Sequence, residues 1–155
     1  VFLGNWCLLY NRKSYWSNLD YKVENYHWSD RSKYQKDYHY LSEVNEILLI
    51  ELTSQLNEIH EVNHSIRYWR ILIGPWLRFF TQVLFDRWFT LNQVIQNNQV
   101  SKCLALSVDT ESLIPNDMRD FGSRAISDNW NEAISTQLLR NFFSNNLLIK
   151  SSEHL

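Results

Sequence analysis

No glycine or proline interrupts residues 31–61, and this stretch limits the possible folds more than any other feature of the chain. Its apolar side chains recur at spacings near three, four or seven residues, which is the period of one face of an α-helix. They are Tyr34, Tyr38, Leu41, Leu48, Leu52 and Ile59, and the opposite face carries Lys36, Glu43, Glu46 and Glu58. The pattern predicts a long amphipathic helix over about 31–61. Ser29 or Asp30 can cap its start, because a short side-chain oxygen accepts hydrogen bonds from the free amides of the first turn.

A second helix is predicted over residues 65–97, with Asn63 or Ser65 as its cap. Pro75 lies inside it. Proline removes a backbone donor and collides with the preceding turn, so a kink is expected there. After the kink, one apolar stripe comprises Leu77, Phe80, Leu84, Trp88 and Leu91. A helix this apolar must be buried on most of its sides.

The remaining predicted elements are short. Residues 1–3 are an apolar strand candidate, and residues 102–108 could form a buried strand. A third helix is predicted over residues 129–143, capped by Ser127 or Asp128. Residues 115–124 look irregular, and we expect the tail from residue 145 to be frayed.

This order of elements favours an α/β fold that is predominantly helical. Its strands are too few for a complete doubly wound sheet, and a mostly helical domain is the competing architecture. With 155 residues, the chain has the size of one domain. Because it opens on the apolar run VFLG without an initiating Met, we expect residues 1–155 to be a single domain or part of one, cut from a longer protein.

Composition excludes several classes of function. The formal net charge of −2 at pH 7 implies no general attraction to nucleic acid, so no nucleic-acid partner is expected. The longest apolar stretch, residues 71–85, contains Arg78 and Gln82, so no transmembrane segment is predicted. Cys7 and Cys103 do not make a disulfide framework, and a reducing compartment is the simpler interpretation. We expect a cytoplasmic protein without a cofactor, and peripheral association with a membrane stays open.

The segment His60-Glu61-x-x-His64 matches the pattern of zinc hydrolases. That chemistry needs both histidines on one helical face, with the glutamate between them as the base. Here the pattern falls where one predicted helix ends and the next begins. The longer form of the motif would place a glycine and a third histidine at two positions that are Arg67 and Arg70. No metal site is predicted, and a zinc hydrolase is retained only as a third alternative.

Three arginines share one face of the second predicted helix. At about 100° per residue, Arg67, Arg70 and Arg78 fall within about 80° of one another, together with Gly74. Arginine presents a planar fork of donors that suits phosphate or carboxylate, and glycine leaves room for a ligand to approach. The arginines could therefore hold the phosphates of a nucleotide-linked donor. Alternatively, they pair with the carboxylates of the 31–61 helix.

The start of the same helix adds to this candidate site. Asn63 and His64 stand where unpaired backbone amides and a partial positive charge favour an anion. Two further candidates lie in the N-terminal region. Asn5 and Trp6 follow the first predicted strand, where ligand loops of α/β proteins often lie. His27 could be a base, although a lone histidine among aromatic rings is more often a structural donor.

Several segments resemble one known family. They are FLGNWCLLY (2–10), YHWSDR (26–31), NEIHEVNHSIRYWRILIGPWLRFFTQVLFDRW (57–88), IPNDMRDF (114–121) and SDNW (127–130). They resemble the N-terminal part of bacterial transferases associated with surface-polysaccharide biosynthesis, including that of O-antigen and lipopolysaccharide.

The resemblance implies an N-terminal fragment of a longer transferase, whose missing C-terminal half would complete a larger, glycosyltransferase-like fold. It implies a nucleotide-activated sugar or a related phosphorylated donor as the substrate, and it identifies no catalytic residue. An alternative function of another class is that of a non-catalytic helical scaffold or interaction domain, whose exposed aromatic side chains pack on the missing half.

Overall fold

A computed structural model describes residues 1–106, 110–144 and 147–152 of the chain. Within this part the chain is predominantly helical with one two-stranded sheet, which confirms the predicted class. The helices are α1 (Lys13–Trp16), α2 (Arg31–Ile59), α3 (Ile66–Asn97), α4 (Met118–Ala125) and α5 (Asp128–Phe142), and the strands are β1 (Lys102–Leu106) and β2 (Leu148–Ser152).

The chain divides into two compact units. The hairpin unit, Asp30–Phe85, contains α2 and the first part of α3. The mixed unit contains Val1–Ser29 and the chain from Asp86 onward, with the second part of α3, the sheet and the shorter helices.

Local capping explains where the helices of the hairpin unit begin. The carboxylate of Asp30 accepts hydrogen bonds from the backbone amides of Ser32 and Lys33, at 2.8 and 3.3 Å. At the start of α3, the hydroxyl of Ser65 lies 3.4 Å from the amide nitrogen of Tyr68. Both long helices are therefore confirmed close to their predicted bounds, with Asp30 and Ser65 as the capping residues.

Asn57 fixes the turn between α2 and α3. Its side-chain oxygen accepts hydrogen bonds from the His64 amide at 3.0 Å and from the Trp69 indole at 2.9 Å. Its side-chain nitrogen donates to the His64 carbonyl at 2.9 Å. The turn at residues 60–65 thus has a defined shape, which sets the residues of α2 that face each residue of α3.

Apolar packing holds this hairpin together. Its core comprises Leu49, Trp69 and Leu77, flanked by Leu52, Leu56, Val62, Ile66, Ile73 and Trp76. Farther along α3, every residue from 80 to 95 is buried or half-buried, which confirms the expected burial of its apolar stripe. Pro75 lies within α3, and the kink there stays a prediction.

The mixed unit is built around the parallel pair β1–β2, in which Lys102 lies opposite Leu148 and Leu106 opposite Ser152. Parallel neighbours require a crossover connection, and α4 and α5 lie within it. The core of this unit comprises Leu91, Leu139, Phe143 and Leu147, flanked by Leu3, Trp88, Ile95, Val100, Cys103, Leu138 and Ile149.

The predicted first strand, residues 1–3, is not formed. Phe2 makes a single parallel bridge with Val23. The Phe2 amide donates to the Lys22 carbonyl at 2.8 Å, and the Glu24 amide donates to the Phe2 carbonyl at 3.0 Å. A 3-10 turn begins at Asn5, so the chain bends away after one paired residue.

The C-terminal part of the chain both confirms and corrects the predictions. Helix α5 and its cap Ser127 are confirmed. The second predicted strand is confirmed over residues 102–106, and its last two predicted positions, 107 and 108, lie outside the described residues. Residues 118–125 are helical rather than irregular, because the carboxylate of Asp117 caps the first turn. The tail expected to fray contributes β2, the second strand of the sheet.

Candidate anion-binding groove

Arg70 and Arg78 line a groove within the hairpin unit. The groove has a volume of about 610 Å³ and is bounded by one face of α2 and one face of α3. Its lining comprises Ser42, Asn45, Glu46, Leu49, Arg70, Gly74, Pro75, Leu77 and Arg78. Two positive charges and one negative charge therefore lie among the described residues that line it.

Arg70 meets Glu46 through two parallel hydrogen bonds, from Nη1 to Oε1 at 2.6 Å and from Nη2 to Oε2 at 2.7 Å. These bonds, together with the positive charges of Arg70 and Arg78, hold the pKa of Glu46 below its usual value. The same pair raises the pKa of Arg70. About half of each side chain is exposed, so the pair lies at the open side of the groove. Arg70 therefore pairs with a carboxylate of the 31–61 helix, which was the alternative to phosphate binding.

Arg78 has weaker contacts. Its Nη2 lies 3.4 Å from the hydroxyl oxygen of Ser42, a long hydrogen bond, and its guanidinium carbon lies 5.7 Å from the centre of the Tyr38 ring. The Ser42 hydroxyl donates to the Tyr38 carbonyl at 2.8 Å, so its oxygen is free to accept from a donor in the groove. No carboxylate is within salt-bridge distance of Arg78 among the described residues. Arg78 is the more available of the two cations.

Gly74 keeps the wall of the groove low between the two arginines. Apart from its two chain neighbours and the nearby helix backbone, a Cβ atom at this position would meet only the Cγ atom of Arg70, at 3.6 Å, which is ordinary van der Waals contact. Because Gly74 also lines the groove, the space beside it is open toward the groove.

The other predicted anion ligands lie outside this lining. Arg67 is exposed on the first turn of α3. Asn63 is exposed in the turn, and the His64 ring packs against Tyr68 with 4.0 Å between ring centres. The structure therefore brings Arg70 and Arg78 together in one groove and leaves Arg67, Asn63 and His64 toward the start of α3.

The zinc-like pattern does not have the geometry that the motif requires. His60 follows the last residue of α2, and Glu61 adopts a positive φ of 53° in the turn. The His60 ring stacks on Trp69, with 6.1 Å between ring centres. The two histidines therefore share no helical face, and no group of three His, Cys, Asp or Glu side chains in the described parts of the chain is placed to hold a metal ion.

Asn5 and Trp6 lie in the 3-10 turn of the mixed unit. Asn5 is exposed, and the Trp6 ring covers Gly4 so closely that a Cβ atom on Gly4 would collide with it. The same ring meets Tyr26 edge to face at 5.9 Å. This loop is an exposed aromatic surface, and its role as a ligand loop stays a prediction.

A buried polar chain in the mixed unit was not found from the sequence. His27 Nε2 lies 3.0 Å from Asp86 Oδ1, Arg87 contacts the other oxygen of Asp86, and Arg87 Nε donates to Asn131 Oδ1 at 2.7 Å. Burial alone would raise the pKa of Asp86. Hydrogen bonds from His27 and Tyr26 and the charge of Arg87 outweigh burial, so the pKa is lowered. The signal in the sequence was the pair Asp86-Arg87 within the apolar part of α3, because charged residues are seldom buried without partners.

Comparison with known proteins defines the class. A family model of transferases matches residues 1–155, the whole chain. The chain belongs to the LIC12162 family of transferases. The match confirms the transferase part of the resemblance, whereas the bacterial and polysaccharide associations stay predictions.

No curated protein and no solved structure matches the chain. None of the helices in the described ranges is long and apolar enough to cross a membrane.

Proposed function

We propose that the chain is part of a transferase that uses a nucleotide-activated sugar or a related phosphorylated donor in bacterial surface-polysaccharide biosynthesis. Membership of a transferase family supports the reaction class. The resemblance of several long segments to polysaccharide-associated transferases supports the pathway.

The observation that carries the proposal is the pair of guanidinium groups, Arg70 and Arg78, in one groove of the hairpin unit. In this proposal they bind the anionic group of the donor and neutralise the charge that develops on the leaving group, which is a large term in transfer reactions. Arg67 lies one turn before Arg70, and with Asn63 and His64 it would extend the anion-binding surface to the start of α3.

The test is binding of a panel of nucleotide-sugars to the full-length protein, measured by calorimetry. An Arg70→Ala/Arg78→Ala variant is expected to bind the preferred donor at least tenfold more weakly, since each arginine supplies a charge-assisted hydrogen bond. Lys36→Ala, an exposed cation of α2 outside the groove lining, is the matched control and should leave affinity unchanged. If the double variant keeps wild-type affinity, the groove is not the donor site.

A specific observation favours a second candidate, a scaffold that binds another protein surface. The hairpin unit exposes large apolar side chains, including Ile47, Ile71 and Leu72, at 67%, 71% and 60% of their surfaces. Exposed apolar surface of this kind commonly marks an interaction site. A hydrophobic dye should bind the wild-type chain and bind less to an Ile71→Ser/Leu72→Ser variant. Equal fluorescence with both would argue against this candidate.

A further inference from the structure

We infer that the groove takes a diphosphate, and that Glu46 holds the place of one of its two phosphates until the ligand arrives. This inference rests on the proposed function, because it concerns the same groove. It goes further by naming the ligand group and the residue that regulates access to it.

The first observation is the geometry of Arg70 and Glu46. Two parallel hydrogen bonds of 2.6 and 2.7 Å join the guanidinium fork to both carboxylate oxygens. Arginine binds phosphate oxygens through the same fork, so the carboxylate of Glu46 occupies the place that a phosphate would take. About half of each side chain is exposed, and exposed ion pairs contribute little to stability, so a ligand can displace Glu46 at small cost.

The second observation is the spacing of the two cations. The guanidinium of Arg70 meets Glu46, and that of Arg78 lies beside Ser42. These two residues of α2 are four positions apart, so their Cβ atoms lie about 5–6 Å from each other on one helix face. Two linked phosphates can therefore give each guanidinium a phosphate group of its own, whereas a single phosphate has to share its oxygens between both.

The third observation is the charge of the groove. With Glu46 in place, the two arginines and one glutamate of the lining leave a single positive charge. When Glu46 turns away, both positive charges become available. A diphosphate carries at least two negative charges, so the exchange pairs each arginine with one phosphate.

The test measures binding of inorganic pyrophosphate and of orthophosphate to the full-length protein by calorimetry, at low ionic strength because salt screens exposed charges. The variants are Glu46→Gln, which removes the competing charge, and Glu51→Gln, an exposed acid of the same helix outside the groove lining. Wild type should prefer pyrophosphate over orthophosphate by about tenfold. Glu46→Gln should tighten pyrophosphate binding by about three- to fivefold, and Glu51→Gln by less than about twofold. Thermal unfolding checks that each variant is folded.

Each other outcome overturns a defined part of the inference. If wild type binds pyrophosphate and Glu46→Gln binds it equally or more weakly, Glu46 is not a displaced placeholder, and the donor site still stands. If pyrophosphate and orthophosphate bind equally, the site is not built for a diphosphate. If no variant binds pyrophosphate and wild type binds no nucleotide-sugar, both this inference and the proposed function fail.

Discussion

His27 Nε2 lies 3.0 Å from Asp86 Oδ1, and only 1% and 7% of the two side chains are exposed. Arg87 contacts the other oxygen of this carboxylate, so Asp86 is compensated on both sides. A buried charge that loses its partner is costly, so removal of either residue should destabilise the mixed unit.

We expect Asp86→Ala to lower the free energy of unfolding by about 3 kcal/mol, because His27 and Arg87 lose their acidic partner in a buried setting. Urea denaturation followed by tryptophan fluorescence measures the change. Asp20→Ala, which removes an exposed acid, should stay within about 0.5 kcal/mol of wild type. Equal stability of both variants would show that the buried pair contributes little.

Glu24 should make the stability of the protein fall in acid. Hydrogen bonds from Asn98 and Asn97, then one from Gln93 and the charge of Lys22, outweigh burial and lower the pKa of Glu24 from 4.5 to about 2. A lowered pKa means that the stabilisation is fully present above about pH 4.5 and is lost as the pH falls toward about 2.

Glu24→Gln should therefore flatten the pH dependence of unfolding in that window. The measurement is a series of urea midpoints between pH 5 and pH 2, in wild type and in the variant. Glu58→Gln, an exposed acid of α2, provides the control and should keep the wild-type slope. A variant of Glu24 that loses stability in acid as steeply as wild type would contradict the assignment.

Asn57→Ala should destabilise the hairpin unit by about 1–3 kcal/mol, because the change leaves the Trp69 indole and the His64 backbone without their partners. Asn57→Asp keeps the oxygen that accepts two of the three hydrogen bonds and should cost less. Thermal unfolding of the two variants gives the order. A larger loss in the aspartate variant would contradict this order and would indicate repulsion between the new carboxylate and the His64 carbonyl.

Two substitutions of Gly74 should have different effects on stability and on ligand binding. Gly74→Ala should change the free energy of unfolding by less than about 1 kcal/mol, because the gain in helix propensity is opposed by crowding of the new methyl group against Pro75, the next residue. Gly74→Leu should fold as well but reduce donor affinity by about tenfold, because its side chain enters the groove. Unchanged donor affinity in the leucine variant would place the donor elsewhere.

The parts of the fold that follow from local sequence were predictable. The apolar periods of α2 and α3 and the capping oxygens of Asp30 and Ser127 depend on residues within one turn of each other. Helix α4 has a comparable local signal in the capping carboxylate of Asp117. Strand β2 had none, because its pairing depends on β1, whose residue Lys102 lies opposite Leu148.

In the candidate site, too, some features follow from local sequence and others depend on how the helices pack. The periodicity of α3 placed Arg70 and Arg78 on one face, and the structure puts both in the groove. The choice of Glu46 as the partner of Arg70 depends on how α2 packs against α3, which the turn held by Asn57 determines. The pairing of His27 with Asp86 joins residues far apart in sequence and leaves no local pattern.

The parallel pairing of β1 and β2 also bears on the order in which the chain folds. The chain between them includes α4 and α5, so the entropy of closing a long loop must be overcome before any strand contact forms. In the hairpin unit, α2 and α3 are joined only by the turn at residues 60–65, and their contacts are nearer in sequence. Contacts of low sequence separation form faster, so the hairpin should gain protection from hydrogen exchange first and the sheet last.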